Sequence, residues 1–184
     1  MRIVAGSAGG RTLKGPKGAD VIRPTADRVR QSLFNVLGQT CDGLRVLDLF
    51  AGTGALAFEA LSRGAVSAVL VDSGREAQQL CRDNALALGF TIELLPLLAQ
   101  QGIEKLAARG ARFELIFADP PYAQAAVDSL LAWLTTYPLL EPGGRLVLEH
   151  SKHEVAAQQV GGFSRLDQRT FGETVVSIYA RSSG

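Results

Sequence analysis

Four consecutive residues, Asp119-Pro120-Pro121-Tyr122, follow an apolar run that ends at Ala118. Consecutive prolines stiffen an extended backbone, so this loop would hold the Asp119 carboxylate and the Pro120 carbonyl in fixed positions. Both groups accept hydrogen bonds, and an aromatic ring such as Tyr122 can stack on a base. Acceptors on both N–H bonds of an exocyclic base amino group favour the pyramidal nitrogen that attack requires. We therefore predict that Asp119, Pro120, Pro121 and Tyr122 are catalytic and position such an amine for group transfer.

A glycine-rich turn, Gly52-Thr53-Gly54, joins a predicted strand to a predicted helix. Glycine lets the backbone approach a ligand closely, and ligands of open α/β sheets bind beyond the carboxyl ends of the strands. Asp72 lies 18 residues after Gly54, at the end of the next strand, where a carboxylate can accept hydrogen bonds from both ribose hydroxyls. The turn also satisfies the dinucleotide fingerprint G-x-G-x-x-G/A, which leaves NAD as an alternative ligand.

Asp48 distinguishes between these two ligands. It lies four residues before Gly52, where it would face the charged part of the ligand. A carboxylate there attracts the ammonium and sulfonium groups of S-adenosylmethionine and repels a pyrophosphate. We therefore predict that the cofactor is S-adenosylmethionine and that it is bound by Asp48, Phe50, Gly52, Thr53, Gly54 and Asp72.

Short apolar strands alternate with helical stretches from residue 45 onward, which predicts a parallel sheet covered on both faces. The tail differs, because only a few residues separate its two strands and a hairpin must follow. The predicted helices are 26–38, Ala55–Arg63, Arg75–Leu88, Gln100–Arg109 and Gln124–Thr136. The predicted strands are Arg45–Phe50, Ala68–Asp72, Ile92–Leu95, Glu114–Ala118, Leu146–Glu149, Ser164–Arg169 and Thr174–Ala180.

The composition is that of a globular chain with a basic N-terminal arm. Of 184 residues, 47% are apolar, which allows one domain with a sizeable core. Cys41 and Cys81 have no CxxC spacing, and no run is long enough to span a membrane, so we expect a cytoplasmic protein. The histidines His150 and His153 lack a cluster of partner ligands, so we expect no metal.

Charge is distributed unevenly along the chain. Residues 1–30 carry seven basic and two acidic side chains, whereas the remainder carries 12 basic and 16 acidic ones. A basic arm on a neutral-to-acidic body is typical of binding to a phosphate backbone. We predict that residues 1–22 form a basic hairpin or arm on a domain spanning residues 23–184. The predicted RNA-binding residues are Arg2, Arg11, Lys14, Lys17 and Arg23.

Nearly the whole chain resembles the bacterial 16S rRNA guanine-N2 methyltransferase family (RsmD-type). The resemblance is carried by Arg2–Gly6, Gly10-Arg11, Arg23–Arg30, Leu33–Asn35, Asp48–Leu61, Asp119–Tyr122 and Glu141–Gly144. It implies a class I methyltransferase fold, a Rossmann-like α/β fold with a mostly parallel seven-stranded sheet whose last strand is antiparallel. It also implies S-adenosylmethionine as donor and a guanine amino group of 16S rRNA, free or in an assembling small subunit, as acceptor.

The resemblance bears on two further cofactor contacts. In such proteins the Arg-Pro-Thr segment lies near the cofactor, which makes Thr25 a candidate contact. Relatives carry an acidic residue near the cofactor's adenine, but residues 98–102 contain none. The amide oxygen of Gln101 is the candidate replacement.

Two other functions are compatible with parts of this pattern. A DNA adenine-N6 or cytosine-N4 methyltransferase would use the same Asp-Pro-Pro-Tyr chemistry, but 184 residues leave no room for a separate DNA-recognition domain. An NAD-dependent oxidoreductase would use the glycine turn and leave Asp119–Tyr122 without a role. RNA methylation by a monomer is the favoured interpretation.

Overall fold

A computed structural model describes residues 1–16, 24–121 and 126–181, with the side chains of residues 24–26 and 126 left out. Within these ranges the chain forms five helices and one eight-stranded sheet. The helices are α1 (Pro24–Leu37), α2 (Ala55–Ser62), α3 (Arg75–Leu88), α4 (Ala99–Ala108) and α5 (Ala126–Thr136). The strands are β1 (Arg45–Leu49), β2 (Ser67–Val71), β3 (Glu93–Leu95), β4 (Phe113–Ala118), β5 (Leu140–Ser151), β6 (Gln159–Val160), β7 (Phe163–Phe171) and β8 (Thr174–Arg181).

The first half of the sheet is parallel and brings the ends of its strands to one edge. The strand order is β3-β2-β1-β4-β5-β8-β7-β6. Leu49, the last residue of β1, pairs with Val71 of β2 on one side and with Ala118 of β4 on the other. The segments that follow β1, β2 and β4 therefore begin side by side.

The second half of the sheet is antiparallel, as the short connection in the tail predicts. β8 lies between β5 and β7 and runs antiparallel to both. The sheet has eight strands where seven are expected, because Gln159–Val160 adds a short antiparallel pairing to β7. A strand of two residues is too short to show an alternating pattern in the sequence. β5 is also longer than expected and begins at Leu140.

Helices cover both faces of the sheet. On one face, side chains such as Phe117 pack with α1, α2 and α3, and the Phe34 and Phe117 ring centroids are 5.8 Å apart. On the other face, Ile116 and its neighbours pack with α4 and α5. Strands buried on both faces explain why their sequences are nearly continuous apolar runs. Among the described residues, no helix combines the length and the apolar composition that crossing a membrane requires.

Residues 1–16 fold back on themselves and pack on the body of the protein. Arg2 and Thr12 form an antiparallel bridge, and the Ile3 N–H donates to the Arg11 carbonyl at 3.0 Å. The side chains of Ile3, Ala8 and Leu13 are buried in the same core as α1 and α2. These buried apolar side chains anchor the N-terminal segment, which carries the basic residues, to the body of the protein.

Candidate active site at the carboxyl ends of the strands

A cavity of about 400 Å³ opens at the edge where the parallel strands end. Its wall is formed by the turn after β1, the end of β4, the end of β5, helix α1 and the β7–β8 hairpin. Of the predicted site residues, Asp48, Phe50, Gly52, Thr53 and Asp119 line it. The cavity thus brings together the glycine turn and the first residue of the Asp-Pro-Pro-Tyr motif.

The glycine turn has a backbone that glycine makes possible. Gly52 and Gly54 have φ values of 56° and 76°, in the left-handed region. A Cβ on Gly54 would lie 2.5 Å from an atom of the Phe58 ring, so this position also needs glycine for space. Phe50 has a φ of 62°, which is strained for a non-glycine residue. Such backbone strain is concentrated at functional sites.

Asp48 lies on β1 at the floor of the cavity. One of its oxygens accepts a hydrogen bond from the Ala57 N–H, in the first turn of α2, at 3.2 Å. Burial raises its pKa to about 8, the Ala57 hydrogen bond opposes the rise, and the nearby Asp119 and Asp72 carboxylates add to it. A cation placed beside this buried carboxyl would stabilise its ionised form and lower its pKa.

Asp119 follows β4, lines the cavity and is exposed to solvent. The protein atoms around it raise its pKa to about 6 by desolvation. Pro120 is buried and Pro121 is exposed, and neither lines the cavity. Tyr122 lies outside the described residues, so its stacking role stays a prediction.

Glu149 and Arg30 line the cavity and are absent from the sequence-based site. Glu149, two residues before the end of β5, has a pKa raised to about 7, mainly by desolvation and then by Asp119. An acid that ends an apolar run was the signal that selected Asp72 and Asp119, and it applies equally to Glu149.

Arg30 is buried and its NH2 group donates to the Asp27 carboxylate and to the Arg2 carbonyl, both at 2.6 Å. Its Nε lies 3.7 Å from the fully buried Glu59, which also accepts the N–H groups of Val4 and Ala5. These contacts tie the N-terminal segment to α1 and α2. No sequence pattern indicates them, because they join residues far apart in the chain.

Three predicted cofactor residues, Gly54, Asp72 and Gln101, are not part of the cavity wall. Asp72 accepts hydrogen bonds from the Gly52 N–H at 2.9 Å and the Gly74 N–H at 2.8 Å. The Gln101 amide oxygen accepts the Leu98 N–H at 3.3 Å and so caps the start of α4. The Thr25 side chain lies outside the described residues.

The predicted RNA-binding residues have different structural settings. The Arg11 guanidinium donates to the carbonyls of Ala87 and Leu88 at the end of α3. Lys14 pairs with Asp83 at 3.1 Å, yet 64% of its side chain is exposed. Arg2 is exposed, and Lys17 and Arg23 lie outside the described residues. Within the described ranges, no group of three or more His, Cys, Asp or Glu side chains is arranged to hold a metal ion.

Known proteins resemble this chain over nearly its whole length. The family model described as Conserved hypothetical protein 95 matches residues 1–180. Bacillus subtilis YlbH is 38% identical over 183 residues, covering 98% of this chain and 99% of the relative. The Escherichia coli protein named Ribosomal RNA small subunit methyltransferase D is 35% identical, covering 100% of this chain and 91% of its own.

Solved structures confirm the predicted fold. The Escherichia coli protein yhhF superimposes with a TM-score of 0.87 at 29% identity, covering 100% of this chain and 99% of its own. The SMU.776 protein, solved in complex with SAH, shares the fold at a TM-score of 0.69 and 17% identity over 86% of this chain and 50% of its own. The chain belongs to the Conserved hypothetical protein 95 family, which is the RsmD family of methyltransferases.

Proposed function

We propose that this chain methylates the exocyclic N2 amino group of a guanine in 16S rRNA and takes the methyl group from S-adenosylmethionine. The observation that carries the proposal is a cavity lined by both the glycine turn after β1 and Asp119 after β4. A donor held by the turn and an amine held by Asp119 would meet inside it.

The residues of the cavity fit S-adenosylmethionine. When bound, this cofactor supplies an electrophilic methyl group on a positively charged sulfur. Asp48, Asp119 and Glu149 have raised pKa values, so a cation among them would favour their ionised forms. At the Gly52 turn the protein backbone could approach the cofactor closely, because glycine has no side chain. Asp72 has lone pairs left for ribose hydroxyls, because each carboxylate oxygen can accept more than one hydrogen bond.

Asp119 and its neighbours act on the amine. The ionised carboxylate accepts one N–H bond and the Pro120 carbonyl accepts the other, which turns the nitrogen lone pair towards the methyl group. Positive charge grows on the nitrogen as the new N–C bond forms and the methyl–sulfur bond of the donor breaks, and the adjacent carboxylate stabilises that charge. The methylated nitrogen then releases one proton to solvent. Tyr122 stacks on the base.

Ribosomal RNA is the substrate that the relatives indicate. The Escherichia coli relative is named Ribosomal RNA small subunit methyltransferase D. The exposed Arg2 and Lys14 would contact the phosphate backbone of 16S rRNA or of an assembling small subunit, and Arg11, Lys17 and Arg23 are the other proposed contacts. The protein would act as a cytoplasmic monomer. No observation supports DNA as substrate, and the buried Asp48 disfavours the pyrophosphate of NAD.

Mass mapping of 16S rRNA from cells with and without this protein tests the proposal. One guanine should carry an N2-methyl group only when the protein is present. Asp119→Asn should abolish transfer to small subunits lacking that methyl group while leaving the calorimetric Kd for S-adenosylhomocysteine unchanged. Asp128→Asn, an exposed carboxyl on α5, is the matched control and should behave like the wild type. Loss of cofactor binding in Asp119→Asn would place this residue in the cofactor site instead.

A further inference from the structure

Glu149 lines the cavity but has no part in the transfer described above. Its side chain is half-buried, and neither its carboxylate nor that of Asp119 has a hydrogen-bond or ion-pair partner within the described ranges. A partly desolvated carboxylate without donors is costly. This pair therefore favours a ligand that brings several N–H groups.

The two carboxyl groups lie beside each other by register. Ala118 of β4 pairs with Leu148 of β5, and Asp119 and Glu149 are the next residues along the two parallel strands. Adjacent strands are about 4.8 Å apart. Two residues earlier on each strand, Phe117 and Val147 belong to the core on the α1 face, and side chains alternate between faces. Asp119 and Glu149 therefore face the same side, and Asp119 contributes to the raised pKa of Glu149.

Glu149 is on the substrate side of Asp119. The strand order places β1, with its glycine turn, on one side of β4 and places β5 on the other. A donor bound over β1 thus leaves the space over β5 for the acceptor base. The ring of Phe171, at the end of β7, lines this same cavity and offers an apolar face.

We infer that Glu149 selects guanine by binding the edge of the base that carries N1–H and the N2 amino group. Its carboxylate accepts N1–H and shares one N2–H with the Pro120 carbonyl in a bifurcated hydrogen bond, Asp119 accepts the other N2–H, and Phe171 stacks on the ring. This inference rests on the proposed function and adds the reason for base choice. Adenine and 2-aminopurine carry a lone pair on N1, which would face the lone pairs of the carboxylate and be rejected.

An exchange of base preference tests the inference. Glu149→Gln presents an amide oxygen to N2–H and an amide N–H to position 1, which matches 2-aminopurine instead of guanine. The substrate is 16S rRNA ligated with guanosine or 2-aminopurine riboside at the mapped position and assembled with small-subunit proteins. Wild type should prefer guanine in kcat/KM by about 100-fold or more, because a site built for hydrogen bonds rejects an analogue lacking them. Glu149→Gln should prefer 2-aminopurine.

Controls separate this role from a structural one. Glu141→Gln is the same substitution at the other end of β5, beside Arg45, and should keep the preference for guanine. A packing defect would lower transfer to both bases alike. Glu149→Ala is the second variant and should lose the preference without reversing it.

Each result bears on one of the two proposals. A preference for guanine that survives in Glu149→Gln or Glu149→Ala overturns the role of Glu149 and leaves the proposed function intact. Absence of transfer to guanine by the wild type overturns the proposed function itself.

Discussion

The Asp72 carboxylate at the end of β2 accepts a hydrogen bond from the Gly52 N–H at 2.9 Å and thereby fixes the turn that follows β1. Its second oxygen accepts the Gly74 N–H just before α3. One side chain thus shapes two neighbouring loops at the edge of the sheet. Its predicted contact with a ribose would add to this role, since the same oxygens have lone pairs to spare.

Replacement of Asp72 by Asn should weaken binding of S-adenosylhomocysteine. In the wild type, one Asp72 oxygen accepts the Gly52 N–H and the other accepts the Gly74 N–H. Asn has only one acceptor oxygen, so one of these two hydrogen bonds is lost. We expect an increase in Kd of about 10-fold or more in calorimetry, from the loss of one charge-assisted hydrogen bond. Asp83→Asn, on the exposed side of α3, is the control and should bind normally. An unchanged Kd in Asp72→Asn would remove this residue from the cofactor site.

Asp48 should lower the stability of the ligand-free protein. Its pKa in the fold is about 8, raised mainly by burial, against 3.8 as the ordinary value. The folded state therefore binds more protons than the unfolded state between these values, and stability falls as the pH rises through this window.

Asp48→Asn should remove this penalty. At pH 8 its unfolding temperature should exceed that of the wild type by at least about 3 °C, since 1 kcal/mol corresponds to roughly 2–4 °C at this size. The difference should shrink towards pH 4, and S-adenosylmethionine should stabilise only the wild type. A lower unfolding temperature for Asp48→Asn at pH 8 would contradict the buried-charge explanation.

Methyl transfer should depend on pH through Asp119 and Glu149. Their pKa values are raised to about 6 and about 7, and both must be ionised to accept N–H groups. The rate should therefore rise from pH 5 to pH 8 and then level off, measured at saturating substrate. In Glu149→Gln the remaining pH dependence of the rate should come from Asp119. The other charged side chains that line the cavity are those of Asp48 and Arg30. A rate that is flat across this range would speak against ionised acceptors.

Gly6 should be essential for docking of the N-terminal segment. Gly6 and Gly10 have similar φ values of 80° and 82°, but only a Cβ on Gly6 collides with the protein, at 1.8 Å from the Ser62 carbonyl oxygen. Gly10→Ala should cost roughly 1–2 kcal/mol from the left-handed backbone alone. Gly6→Ala should cost more, because overpacking adds a further penalty of about 1–3 kcal/mol. Urea unfolding measures both, and equal losses would mean that the close approach to Ser62 is unimportant.

Replacement of Arg11 should affect both protein stability and RNA binding, whereas replacement of Lys14 should affect RNA binding alone. Lys14→Ala should leave stability nearly unchanged, since its ion pair is exposed, and should reduce the salt dependence of RNA binding by about one phosphate contact. Arg11→Ala should also lower the unfolding temperature, because its guanidinium satisfies carbonyls at the end of α3. Filter binding across salt concentrations, paired with thermal unfolding, distinguishes the two effects. Identical behaviour of the two variants would contradict the separate roles.

The parallel half of the fold could be predicted from sequence because its strands are buried on both faces. Val46, Leu47 and Leu49 in β1 are all fully buried, so the apolar run is interrupted only by Asp48 and its end marks the glycine turn. β6 could not be predicted, because it exists only through its pairing with β7.

Some residues of the candidate site could likewise be predicted from sequence and others could not. Gly52 and Gly54 are visible in sequence because the backbone conformation itself restricts the residue type. Arg30 and Glu59 are not visible, because their partnership arises from tertiary packing across 29 residues of chain. Glu149 follows the apolar run Leu146–Leu148, but its neighbour across the sheet is known only once β5 is placed beside β4.

The cavity wall is built from chain segments that are distant in order of synthesis. Met1 lies at one part of the wall, and Phe171 and Val176, which are among the last described residues to be translated, lie at another. A growing polypeptide lacks one side of the pocket until the β7–β8 hairpin has left the ribosome. Nascent chains that end before β8 should therefore be inert, and methylation can begin only after Val176 has been translated.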